Sequence, residues 1–382
     1  MDWKLSEDQY TLEKQIIDFA KKELNDDYVD GFNRKLWEKC ANFGIFGICI
    51  PEEYGGLGDT YLSAAIAMKA LGYGCEDSGF VFAISNHLWV CENLINLFGS
   101  EEQKKKYLPA MIDGSKIGAF ALTEADSGSD ALGMNTGAEK TDGGYILNGN
   151  KMFISNGPIA DMFIVIARTG KSHAMNGYTA FIVSKDNPGL EIGKTIEKMG
   201  LTGCPMSELV FNDCFIPDSD ILGRVGSGST LMNSSLEWER CFEFASHIGA
   251  MRRMMDKSTE YAMNRVQFGS SISTNQSISN KIANMRVNIE LAELLLYKIA
   301  SMKDEKKNAF VEASILKLFV SESYVNACLD TVQIMGAYGY VKEYKVEREL
   351  RDSIASTIYS GTSEIQRNII YTVVEREFNR TR

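Results

Sequence analysis

A chain of 382 residues is too long for one ordinary domain, and its 45% hydrophobic and 24% charged residues suit a globular protein with a sizeable core. Asp and Glu number 51 against 40 Lys and Arg, a net charge of −11 that argues against a general nucleic-acid binder, which needs a basic face to displace counterions. No run of 18 apolar residues occurs, so nothing reads as a bilayer span. The first residues, Met1 to Asp8, are polar and acidic, unlike a signal or transit segment. The 8 cysteines are scattered singly, with no Cys-x-x-Cys pair, so free thiols in a reducing, cytoplasmic compartment are expected. Three histidines (His87, His173, His247) are too few for a His-rich metal site, and no Gly-x-Ser-x-Gly elbow frames a serine nucleophile.

From Leu5 to about Leu122 the pattern is helical. Leu12, Ile16, Ile17, Phe19 and Ala20 recur at three-and-four spacing, as do Leu62, Ala65, Ile66 and Ala70. Turns interrupt at Gly44 to Gly47 and at Pro51 to Gly58. Ser100-Glu101-Glu102 reads as an N-cap with an acidic first turn. Between about Thr123 and Gly228, short β-branched and aromatic runs (144–150, 162–167, 178–183, 208–211) alternate with Gly, Asn and Asp turns. Pro158, Pro188, Pro205 and Pro217 punctuate this block, which predicts a small sheet or barrel. From Ser229 onward there is no proline, and before Gly336 the only glycines are Gly249 and Gly269, so long helices in an antiparallel bundle are expected. The predicted fold is α+β: an N-terminal helical domain over 1–122, a β domain over 123–228 and a C-terminal four-helix bundle over 229–382.

That order, at this length, resembles the acyl-CoA dehydrogenase superfamily through five collinear motifs. Phe120-Ala121-Leu122-Thr123-Glu124-Ala125-Asp126-Ser127-Gly128-Ser129-Asp130 is similar to the family's first signature, and Lys151-Met152-Phe153-Ile154-Ser155-Asn156-Gly157 to its companion strand. Arg265 to Gly269 and Gln333 to Tyr340 resemble the flavin-contacting segments of the bundle. Glu347 to Asp352, then Ile358-Tyr359-Ser360-Gly361-Thr362-Ser363-Glu364-Ile365-Gln366-Arg367, resembles the second signature. The resemblance implies FAD, whose ring needs donors along the edge where negative charge builds on reduction. Phe120, Leu122, Thr123, Ser129 and Ser155 would supply them. Phe153 would lie over the ring, where the family more often has Trp. Arg265 would meet the pyrophosphate, with Gln267, Phe268, Asn275 and Gln276 nearby. In the family these come from a neighbouring subunit of a homotetramer, together with Gln333, Gly336 and Ala337. Thr362 and Glu364 would close the site.

The reaction so implied is oxidation of an acyl thioester to its α,β-enoyl form. The α C–H is a feeble acid, so a carboxylate must stand at it in a dry site, and the developing enolate oxygen needs fixed donors. Many family members place that carboxylate directly before the Gly-Thr of the second signature; here the residue is Ser360. A serine side chain is no base for the task, although its backbone N–H, beside Gly361, still suits the oxyanion. A minority branch, including the isovaleryl and long-chain enzymes, carries the base on a bundle helix directly before an arginine. Glu239-Arg240 matches that alternative, so Glu239 is the expected base, Arg240 its tuning partner and Glu364 the fallback. The helical wheel sets Cys241, Phe244, Ala245 and Ile248 on the apolar stripe and Glu239 nearly opposite it, with Glu243 as a similar solvated bystander. Substrate contacts are expected at Ser129, Glu237, Arg240 and Gly361.

Trp238-Glu239-Arg240 together with Ile358 to Ile370 looks most like the branch acting on acyl or aminoacyl groups tethered to carrier proteins, such as prolyl- or hydroxymalonyl-carrier-protein dehydrogenases of secondary metabolism. An acidic carrier would need a basic patch, for which Arg252-Arg253 and Lys303 with Lys306-Lys307 are candidates. An ordinary short- or branched-chain acyl-CoA dehydrogenase is the alternative. From other classes, an oxidase or monooxygenase on the same scaffold, or a non-catalytic acyl-binding protein, stays open. Either an electron-transfer flavoprotein or O2 would take the electrons.

Overall fold

Ser6 and Ser100 each open a helix by reciprocal capping: the hydroxyl accepts from the N–H of Gln9 or Gln103, and that glutamine's side chain accepts from the serine N–H. The computed structural model describes residues 5–25, 29–170 and 175–380; His173 lies outside them. Six helices precede the main sheet: α1 (Glu7–Glu23), α2 (Arg34–Phe43), α3 (Tyr61–Gly74), α4 (Ser78–His87), α5 (Asn93–Phe98) and α6 (Glu101–Ile112). A five-residue π-helical turn, Leu88–Glu92, joins α4 to α5.

The middle of the chain forms β1 (Gly118–Ala121), β2 (Gly137–Thr141), β3 (Gly144–Ser155), β4 (Met162–Arg168), β5 (Tyr178–Ser184), β6 (Leu190–Ile192), β7 (Met206–Pro217) and β8 (Ile221–Leu222). They make one 8-stranded sheet in the order β6-β7-β3-β2-β4-β5-β8, with β1 added parallel to β4. The sheet therefore begins at Gly118, ahead of the boundary expected at 122. Ala119 and Ala121 face its core, whereas the sequence alone read Phe120-Ala121 only as the head of a motif.

The last block is α7 (Gly228–Asn264), a hairpin of β9 (Val266–Gln267) and β10 (Ser270–Ser271), α8 (Gln276–Asp304), α9 (Phe310–Met335), α10 (Ala337–Tyr340), α11 (Val346–Ala355) and α12 (Ser363–Arg380). α7 packs against α3, α8, α9 and the π turn, while α11 and α12 lie on α9. A single apolar core runs from α1 and α3 through α7, α8 and α9, so the N- and C-terminal helices share one interior. Being covered on several sides, α7 has no simple solvent face. All eight cysteines are free.

Candidate active site

The site grows from a turn after α11. Ser360 has φ +56° and Gly361 φ +89°, two successive left-handed residues. Glycine is required at 361: a Cβ there would stand 2.9 Å from Gln366 Nε2. The Ser360 carbonyl accepts from Arg240 Nε at 2.8 Å and from Gln366 Nε2 at 3.0 Å, which fixes the turn against α7. The Ser360 and Gly361 N–H groups are used in no hydrogen bond within the described residues. Arg240 is buried, its guanidinium 5.8 Å from the Phe310 ring centre.

Glu239, immediately before Arg240, is half-buried. Loss of water pushes its carboxyl above the ordinary value, opposed by the Ser360 hydroxyl, Arg240 and Lys317. That combination is a carboxyl poised as a proton acceptor in a dry place, beside free backbone donors. Glu243 corrects the helical-wheel reading: it is no solvated bystander but buried, with neither carboxylate oxygen paired. The covering of α7 by α4 and the π turn explains the difference. Around these carboxyls the rings of Trp89 and Phe242 stack at 4.5 Å, and those of Phe82 and Tyr359 meet at 4.6 Å. The Tyr359 hydroxyl pairs with His247 Nε2.

Glu364, at the start of α12, is exposed, and hydrogen bonding by its own N–H and by Thr362 lowers its pKa. It lacks the dry surroundings a base for this task needs. Thr362 caps the same helix, its hydroxyl accepting from Ile365 N–H at 3.3 Å. Glu237 was expected at the substrate, but it is buried against Lys303 and accepts from Ala309 N–H at 2.8 Å. Lys303 thereby also leaves the expected basic patch, as does Arg253, buried on the carbonyls of Gly72 and Cys75 and on Glu349. Arg252, Lys306 and Lys307 remain exposed.

The residues expected at FAD fall in two groups. On the sheet, Lys151 is 0% exposed and reaches the Leu122 carbonyl at 2.8 Å and Glu124 at 3.0 Å, while Met152 N–H donates to the Thr123 carbonyl. These bonds dock the loop after Phe120 onto β3, bringing Leu122 and Thr123 beside Phe153 and Ser155. Ser129 is exposed on the same loop. Phe153 adopts φ +61° and stays 51% exposed, an apolar platform without a cover. In the second group, Gln267 and Phe268 lie on the β9–β10 hairpin, and Arg265 extends its guanidinium toward Tyr338. Asn275 and Gln276 open α8, whose first N–H groups no side chain caps, an arrangement suited to a phosphate. Gln333, Gly336 and Ala337 are exposed at the end of α9. An aromatic platform with donors, plus an exposed arginine after α7 and the uncapped N-terminus of α8, fits the two halves of a flavin dinucleotide. Among the described residues no His/Cys/Asp/Glu group fit to hold a metal occurs.

Residues 6–115, 119–214 and 226–374 match, respectively, the N-terminal, middle and C-terminal domains of acyl-CoA dehydrogenase. The chain belongs to the acyl-CoA dehydrogenase family, FAD-dependent oxidoreductases. It is 40% identical over 371 residues to an acyl-CoA dehydrogenase of Bacillus subtilis, covering 96% of this chain and 97% of that one. It is 38% identical over 375 residues to the L-prolyl-[peptidyl-carrier protein] dehydrogenase of Serratia sp., covering 97% of each. Among solved structures, the prolyl acyl carrier protein oxidase AnaB matches with a TM-score of 0.95 and 42% identity, covering 97% of this chain and 100% of that one. PigA with FAD and proline matches with a TM-score of 0.96 and 37% identity, covering 98% and 99%.

Proposed function

We propose that the protein dehydrogenates a small acyl or aminoacyl group held as a thioester on a carrier protein, in secondary-metabolite biosynthesis, with Glu239 as the base. The observation that carries the reading is the Glu239 carboxyl, driven above its ordinary range by burial and set beside the Ser360-Gly361 turn. FAD supplies the hydride acceptor when bound. Glu239 takes the α-proton on a carboxylate oxygen. The Ser360 N–H, on a turn that Arg240 and Gln366 hold rigid, donates to the thioester oxygen as negative charge develops there. One preorganised donor of this kind contributes about 3–4 kcal/mol to the barrier reduction. The rings of Phe82, Trp89, Phe242 and Tyr359 keep water out, which strengthens both effects.

Likeness to proteins named for prolyl-carrier substrates favours a tethered aminoacyl group. Comparable likeness to the Bacillus subtilis acyl-CoA dehydrogenase favours the second reading, oxidation of a short CoA ester. Arg252, Lys306 and Lys307 are the remaining basic candidates for docking an acidic carrier. The electron acceptor is an electron-transfer flavoprotein or O2: one relative is a subunit of a caffeyl-CoA reductase-Etf complex, another is named an oxidase. The Arg265 to Gln276 segment and the exposed Gln333, Gly336 and Ala337 serve FAD of a neighbouring copy in a cytoplasmic homotetramer.

The test is anaerobic bleaching of the flavin by matched thioesters, each offered on CoA and on a pantetheinylated carrier protein. Bleaching by the carrier-bound form alone supports the biosynthetic reading; equal bleaching by the CoA ester replaces it with ordinary acyl-CoA oxidation. Glu239→Gln should keep FAD yet lower the bleaching rate by about 10²–10⁴-fold. An undiminished rate removes Glu239 from the mechanism.

A further inference from the structure

Glu243 is a buried polar group beside Glu239 for which the reaction above has no task. It stands one helical turn beyond Glu239 on α7, and residues four apart on a helix face one way with Cβ atoms about 5–6 Å apart. The two carboxyls therefore stand on the same side of α7. Glu243 is 1% exposed, and neither oxygen has a hydrogen-bond partner. No cation is among the groups acting on it: these are Glu239, the Ser85 hydroxyl (also unpaired), Tyr359 and Cys204. His247, behind Tyr359, is held neutral by burial, its pKa pushed down to about 3. Arg240 and Lys317 act on Glu239 instead. The surrounding walls are aromatic, with Tyr359 ringed by Phe82 at 4.6 Å and Phe244 at 5.9 Å.

Buried carboxyl oxygens without a partner, with no cation acting on them among the described residues and aromatic rings around them, are complementary to an occupant that brings positive charge and N–H donors. A neutral acyl chain would leave Glu243 as unpaired as it already is. We propose that Glu243 binds the basic nitrogen of an α-amino acyl thioester while Glu239 reaches the α C–H beside it. The spacing suits this division, because the nitrogen and the α-hydrogen sit on the same carbon of a small group. Burial pushes the Glu243 carboxyl well above its ordinary pKa, so an incoming ammonium that forms the ion pair draws the carboxyl toward its ionised form and sends the proton to solvent. The positive nitrogen also acidifies the α C–H that Glu239 must deprotonate. The assignment rests on Glu239 being the base, and it deepens that reading by naming the substrate class.

The experiment uses the FAD-loaded protein and two thioesters on a pantetheinylated carrier protein, prolyl and cyclopentanecarbonyl, which share ring size and differ by the nitrogen. The wild type should be bleached anaerobically at least about a hundredfold faster by the prolyl ester. Glu243→Gln, nearly isosteric, should lose most of that preference while its rate with the carbocycle changes little, and Glu243→Leu should reverse it. Retained flavin absorbance and an unchanged Tm certify the variants. A second measurement is calorimetry in two buffers of different ionisation enthalpy, with the unreactive amide analogue of prolyl pantetheine. It should show proton release on binding to the wild type and none with Glu243→Gln. Equal bleaching by both esters in the wild type, or an equal loss of both in Glu243→Gln, overturns the assignment and leaves dehydrogenation by Glu239 standing. Bleaching by neither ester overturns both readings.

Discussion

With Glu239 as the proposed base, the buried charge of Lys317 bears on its working range. Lys317 is 0% exposed, its ammonium has no hydrogen-bond partner, and burial pushes its pKa down to about 8. While it holds its proton it draws Glu239 toward the ionised form, against the desolvation that raises Glu239. Glu239 must be ionised to accept the α-proton, so flavin reduction falls as pH drops through its raised pKa, giving an acid limb above the usual carboxylate range. Removing the Lys317 charge leaves desolvation less opposed and Glu239 harder to ionise. Lys317→Met should therefore move the acid limb to higher pH. The check is the pH profile of anaerobic bleaching; a lower plateau with an unmoved limb would make Lys317 merely structural. Lys317 was not legible in the sequence, because nothing in a helical pattern tells a buried lysine from a solvated one.

At the scale of elements, α7 explains both what could be read in advance and what could not. Its length followed from the missing prolines, and Glu239-Arg240 stood out by likeness to a known arrangement rather than by periodicity. The wheel failed for Glu243 because it assumes one apolar and one wet face, whereas α7 meets α3, α8, α9 and the π turn. The same cover buries Glu237, which clamps α7 to Lys303 of α8 and to the N–H of Ala309, just before α9. Breaking one side of a buried pair costs about 3–5 kcal/mol, because the partner charge stays behind unpaired. Glu237→Gln should thus lower Tm markedly and leave the acid limb of flavin reduction, and KM for the thioester, where they were. A raised KM with Tm untouched would return Glu237 to the substrate. The sheet was easier to foresee, since its strands are bounded by Gly, Asn and Pro; β1 escaped because four residues carry too little pattern.

The groups expected at the flavin fall partly on the sheet and partly on the hairpin and α10, and this bears on assembly. Phe153 offers a bare ring on the sheet. On the hairpin and around α10, Val266, Phe268, Tyr338, Tyr340 and Val341 are all exposed, with Phe268 wholly so. Phe268 also adopts φ +51°, in the left-handed region that a phenylalanine seldom occupies. A monomer gains nothing from holding that ring in solvent, and exposed apolar groups clustered in this way mark an interface. If the hairpin of one copy covers the dinucleotide on its neighbour, assembly and flavin retention are one equilibrium, and each should fall when the other does. Phe268→Asp should then give species below four times the chain mass in light scattering and elute without flavin colour, although α-helical content is kept. Added FAD should partly restore the larger species. A colourless variant of unchanged mass would confine Phe268 to the cofactor, and a yellow one of reduced mass would show that a single copy completes the site.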